Sequence, residues 1–83
     1  MFCTYIIQSE KTGTLYIGQT QNLPKRIKKH NSNLVKSTKG KGPWRVIFSV
    51  TFETRSEAVK LERKLKSFKK REYLFKWIKK FSN

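Results

Sequence analysis

At 83 residues the chain is expected to form one small domain, residues 1–83, and a chain of this size buries only about 60% of its unfolded surface. A hydrophobic share of 36% and eleven aromatic residues exclude a disordered chain, while one cysteine and one histidine exclude a disulfide framework and any zinc site built from several such ligands. Lys and Arg number 20 against five Glu, a formal net charge of +15, which points to a polyanionic partner: nucleic acid first, an anionic membrane surface second.

Met1-Phe2-Cys3 leads straight into a strand pattern, with neither a basic leader nor a long apolar run. A cytoplasmic protein that does not span a membrane is therefore expected, and the lone Cys3 fits a reducing compartment. Residues 3–8 are rich in β-branched and aromatic side chains and read as a strand. Residues 9–13 form a turn and residues 14–18 a second strand, closing a β-hairpin. Asn22 caps a helix over Leu23–Asn31, with Pro24 tolerated in the first turn where no N–H bond is lost.

Residues 32–43 hold Gly40, Gly42 and Pro43 with three lysines, and read as a flexible basic loop better suited to phosphates than to packing. Over Trp44–Phe52 the residues Trp44, Val46, Phe48, Val50 and Phe52 alternate on one face of a strand. Thr54 and Glu57 make a capping box for a helix with the stripe Ala58, Leu61, Glu62, Leu65 and Phe68. The apolar phase breaks near 69–71 and resumes as Leu74, Trp77, Ile78 and Phe81, which reads as two helices meeting at a kink. The order β-β-α-β-α-α predicts an α+β fold, a small three-stranded, mainly antiparallel sheet flanked by helices.

The informative irregularity lies in the first helix. Its inward stripe reads Leu23, Arg26, Ile27, His30, so a guanidinium and an imidazole stand where a core helix would place Leu or Val. Buried polar groups are costly unless paired, which separates these two from the general basic character of the chain. Glu62 is a second charge inside an apolar stripe, and its bland reading is a surface pair with Lys66 one turn on. Its functional reading is a carboxylate for a divalent cation, for which the chain has only five candidates. No acid occurs from Lys11 to Phe52, while nine bases do. Lys25, Lys28, Lys29, Lys36, Lys39 and Lys41 are the candidate nucleic-acid contacts in that stretch. Trp44 and Trp77 fit a core, although Trp44 beside the loop could stack on an exposed base.

The spacing of Tyr5, then Tyr16-Ile17-Gly18, then Arg26 and His30, then Glu62 resembles the GIY-YIG nuclease domain over nearly the whole chain. Small stand-alone endonuclease-like members are the most similar, relatives of the incision domain of bacterial nucleotide-excision repair and of the cutting domain of some homing endonucleases. The resemblance implies that Tyr5 and Tyr16 are the motif tyrosines and that Gly18 lets its strand approach the helix closely. It implies that Arg26 and His30 are the helical pair and that Glu62 holds Mg²⁺ or Mn²⁺. The first motif here is Cys3-Thr4-Tyr5, of which only the last letter is kept. The family's asparagine on the final helix is not carried onto Asn83.

The implied chemistry is hydrolysis of DNA phosphodiesters, with RNA left open. Arg26 would meet a non-bridging oxygen, Glu62 a metal, and one tyrosine would act as base with help from His30. Sequence does not choose between Tyr5 and Tyr16, and a free tyrosine pKa near ~10 makes phenolate scarce without Arg26 and the metal. The alternative is a non-catalytic nucleic-acid-binding module, or a domain that acts when a protein partner supplies the substrate-locating surface. The oligomeric state is left open.

Overall fold

Eight consecutive residues rich in Ile, Tyr, Thr and Phe form the central strand β1 (Phe2–Ser9), because they can fill both faces of a sheet covered on each side. A computed structural model describes residues 1–82. In it β2 (Leu15–Thr20) and β3 (Trp44–Phe52) flank β1 in the order β2-β1-β3, and both pairings are antiparallel. The β1–β2 turn is closed by bonds from the Lys11 and Thr12 N–H groups to Ser9 Oγ, with Gly13 in the left-handed region at φ 77°. The second strand starts and ends later than the sequence pattern predicts, so Gly18 lies inside it rather than at its end.

Helix α1 (Leu23–Asn31) covers one face, and helices α2 (Arg55–Lys66) and α3 (Arg71–Ser82) are separate elements. Asn22 accepts from the Lys25 N–H at 3.1 Å, and Thr54 accepts from the Glu57 N–H at 3.3 Å, so both predicted caps hold their first turns. Two clusters form on opposite faces of β1. Ile6, Phe48, Leu61, Leu65 and Leu74 make one, beneath α2 and α3. Cys3, Tyr5, Ile7 and Trp44, with Tyr16, Leu23 and Ile27, make the other beneath α1.

Two expectations are corrected. The alternation of β3 does not keep to one face: a bulge between the partners of Ile6 and Ile7 inserts Ile47, so Phe48 pairs with Ile6 while Val46 pairs with Ile7. Trp44 therefore joins the cluster under α1, is 4% exposed, and is not free to stack on a base. The segment 32–43 is also more than a flexible loop. It contains a short 3₁₀ turn (Lys36–Thr38) whose Thr38 is fully buried, and Trp44 Nε1 donates to the Thr38 carbonyl at 3.3 Å. Asn31 clamps the return of the chain, accepting from the Trp44 N–H and donating to the Trp44 carbonyl. Among the described residues no helix is long and apolar enough to cross a membrane.

Candidate active site

Register sets the first contact. Tyr5 lies directly across from Gly18, and a Cβ at Gly18 would stand 2.7 Å from the Tyr5 hydroxyl oxygen and 2.9 Å from Cζ. The space left by the glycine is thus filled by the Tyr5 phenol, not by a close approach of the helix. Tyr16, two residues earlier on the same face, has its ring centroid 6.4 Å from that of Tyr5 and 4.9 Å from that of His30.

Helix α1 docks through Leu23 and Ile27, which carries Arg26 and His30 inward with them. His30 is fully buried, and both of its nitrogens are engaged: Nε2 with the Tyr5 hydroxyl at 3.0 Å, and Nδ1 with Thr38 Oγ1 at 2.8 Å. Burial, reinforced by the nearby Arg26 charge, lowers the His30 pKa from its ordinary 6.5, so the imidazole is neutral at neutral pH. Burial likewise raises the Tyr5 pKa above the usual 10, more than the Arg26 hydrogen bond draws it down. Arg26 is itself raised, first by its interaction with the Tyr5 hydroxyl and less by Tyr16, so both phenols act on the guanidinium. Its Nε is buried and lacks a hydrogen-bond partner among the described residues. An unsatisfied buried N–H on a permanent cation is an anion-binding donor in waiting.

Beside Arg26 a shallow cavity of roughly 130 Å³ is lined by Thr20, Asn22, Lys25, Arg26 and Lys29. Lys25 and Lys29 are thus gathered to the site, while Lys28 is exposed and does not line this cavity. Lys36, Lys39 and Lys41 are exposed on the 32–43 segment. A larger cavity of roughly 390 Å³ runs from Leu15, Tyr16 and Ile17 to Lys66, Lys69, Lys70 and Arg71.

Glu62 lies on α2, one turn before Lys66. It is half-buried, its charge is a minor addition to the burial that raises the Tyr5 pKa, and Lys66 donates to its Oε2 at 3.0 Å. The i, i+4 pair is therefore formed. Among the described residues no three His, Cys, Asp or Glu side chains come together as a metal cluster. One carboxylate does fit Mg²⁺ or Mn²⁺, hard cations that keep several waters and complete their shell with substrate phosphate oxygens. The Lys66 side chain is 56% exposed, and such surface pairs are worth only about 0–1 kcal/mol, so this one costs little to break.

The structure gathers Tyr5, Tyr16, Gly18, Arg26 and His30 into one cluster, with Glu62 near it, while Ile17 packs on the opposite face among the core residues. Sequence reading missed Thr38, since its partner His30 lies eight residues away and no local period links a helix to a 3₁₀ turn. It also missed the bases at the α2–α3 junction as neighbours of Tyr16. The one available signal was the density of Lys and Arg where the apolar phase breaks, at Lys66, Lys69, Lys70 and Arg71. Asn83 lies outside the described residues.

The family model for the GIY-YIG catalytic domain matches residues 1–81. The chain is 38% identical over 71 residues to a UPF0213 protein of Staphylococcus saprophyticus, covering 84% of this chain and 85% of that one. A UPF0213 protein of Clostridium perfringens is 38% identical over 71 residues, covering 84% of this chain and 75% of the relative. The solution NMR structure of a UPF0213 protein from Bacillus halodurans superposes with a TM-score of 0.54 at 33% identity, over 88% of this chain and 79% of that one. These relatives' names state no activity.

Proposed function

The chain belongs to the GIY-YIG catalytic domain family, a nuclease family, and from that membership we propose that it is a metal-dependent endonuclease that hydrolyses DNA phosphodiester bonds. The observation that supports this reading best is Arg26: a cation set in an apolar stripe, acted on by two phenols, with one buried donor unpaired. A phosphodiester gathers negative charge on its non-bridging oxygens as it is attacked, and a fixed guanidinium meets that charge without reorganising. Lys25 and Lys29 beside it add positive potential where the phosphate arrives.

Exposure favours Tyr16 over Tyr5 as the group that takes a proton from water. Tyr16 is partly exposed on the edge strand β2, whereas Tyr5 has no exposed surface and is committed to His30. Negative charge developing on the Tyr16 oxygen faces Arg26. Tyr5 and His30 act as the support on which Arg26 rests. Glu62, released from Lys66, would hold Mg²⁺ or Mn²⁺. When bound, that cation neutralises charge on the phosphate and the leaving oxygen. The second reading, a binding module that does not cut, draws on the Glu62–Lys66 pair, since a carboxylate kept by Lys66 holds no metal.

Nicking of supercoiled plasmid separates the two. The endonuclease reading predicts nicks with Mg²⁺ or Mn²⁺ and none with a chelator. Plasmid that is bound but stays intact in every divalent metal tried would favour the binding module.

A further inference from the structure

The buried chain Tyr5–His30–Thr38–Val35 can be accounted for proton by proton. Thr38 Oγ1 contacts His30 Nδ1 at 2.8 Å and the Val35 carbonyl at 3.3 Å. A hydroxyl has one hydrogen to give. If Thr38 gives it to the Val35 carbonyl, which can only accept, then Nδ1 must carry the imidazole hydrogen and donate to Thr38. Nε2 is then a bare acceptor, and the Tyr5 O–H donates to it across 3.0 Å. The Tyr5 oxygen keeps its lone pairs for the Arg26 guanidinium, which donates and cannot accept.

The reverse order fails on the same count. With the hydrogen on Nε2, His30 would donate to the Tyr5 oxygen, and Tyr5 would need another acceptor for its own hydrogen. Among the described residues the Tyr5 hydroxyl has one hydrogen bond, the one to His30 Nε2, and Arg26 beside it can only donate. A fully buried hydroxyl left unsatisfied is disfavoured. The Nδ1–H order satisfies each of these donors, and Thr38 is the acceptor that order requires at Nδ1.

We propose that Thr38 is a positioning residue for the nuclease reaction: its hydroxyl holds His30 as the Nδ1–H tautomer, which turns the Tyr5 O–H away from Arg26 and presents the Tyr5 lone pairs to the guanidinium. The fold is arranged around this contact, because Thr38 sits in the 3₁₀ turn that Trp44 Nε1 ties down through the Thr38 carbonyl. The proposal rests on the endonuclease reading for its consequence, but its first test needs no substrate.

His30 is the chain's one histidine, so a long-range ¹H–¹⁵N correlation of the labelled full chain at neutral pH reads a single imidazole. The expected result is Nδ1–H in the wild type and in Thr38→Ser, and a mixture of Nδ1–H and Nε2–H in Thr38→Val, which keeps the shape and loses the hydroxyl, so that either tautomer leaves one buried donor unpaired. In the plasmid assay Thr38→Val should nick about ten- to a hundredfold more slowly with its KM little changed, and Thr38→Ser should recover the rate. An Nε2–H wild type overturns the proposal, as does a Thr38→Val protein that keeps Nδ1–H alone or nicks at the wild-type rate. If Thr38→Val does not fold, the tautomer of the wild type and the rate of Thr38→Ser decide alone. If the wild type shows Nδ1–H but never nicks DNA, the endonuclease reading falls while the direction of the hydrogen-bond chain stands.

Discussion

A phenol with no exposed surface, bonded to a buried imidazole, has a different task from one that is partly exposed, and Tyr5 and Tyr16 differ in this way. Tyr5→Phe strips the His30 Nε2 of its partner in a dry site, so urea denaturation should show a loss of about 1–3 kcal/mol, with nicking reduced. Tyr16→Phe should leave that stability within about 0.5 kcal/mol and abolish nicking, since it removes the proposed base from a partly open position. Equal stability losses in the two variants would contradict the division of roles. Gly18 belongs to the same calculation. Alanine there would press a methyl group against the Tyr5 hydroxyl at 2.7 Å, and a buried strand partner has little room to yield. Gly18→Ala should cost about 1–3 kcal/mol by the same denaturation measurement, and a neutral substitution would mean that Tyr5 shifts freely.

At the scale of elements, α1 was readable because its signal is periodic: Leu23, Arg26, Ile27 and His30 recur at helical spacing, and the two polar members stood out against that spacing. What they bond to was not readable, because Thr38 and Tyr5 come from other elements and meet His30 only through the fold. β3 shows the opposite failure. Its alternation through Trp44 and Phe48 looked continuous, but one inserted residue at Ile47 reverses the faces, and a bulge leaves no mark on a pattern of apolar residues. The 32–43 segment has the Gly, Pro and Lys content of a loop, which says nothing of the single threonine that packs.

The α1–3₁₀ contact also has a pH signature. A depressed folded pKa means that the unfolded chain binds the His30 proton more readily. Stability from this site is therefore complete above the ordinary value of 6.5 and is lost as pH falls below it. The denaturation midpoint should decline between neutral pH and pH ~5 in the wild type, and decline less in His30→Gln, which has no proton to gain. Parallel slopes would show that His30 does not control this contact.

Over the whole molecule the net charge of +15 makes the approach of any nucleic acid electrostatic. The bases gather in two groups: Lys25 and Lys29 next to Arg26, and Lys66, Lys69, Lys70 and Arg71 around the cavity at the α2–α3 junction. Only the first group lies among the lysines singled out from the sequence, because net charge locates no surface until the α2–α3 junction is folded against β2. DNA affinity measured across a salt series should fall steeply, with a log–log slope near −0.9 per phosphate contacted, and Lys69→Ala and Lys70→Ala should each flatten it by about one. An affinity indifferent to salt would contradict a phosphate-based interface.

The central claim, that Arg26 and Glu62 serve bond cleavage and not binding alone, is tested most directly by measuring DNA binding and Mg²⁺-dependent nicking on the same preparations of wild type, Arg26→Ala and Glu62→Ala. Loss of nicking by about a hundredfold or more in both variants is predicted, with Glu62→Ala still binding DNA as the wild type does. Nicking that persists in both variants would contradict the claim.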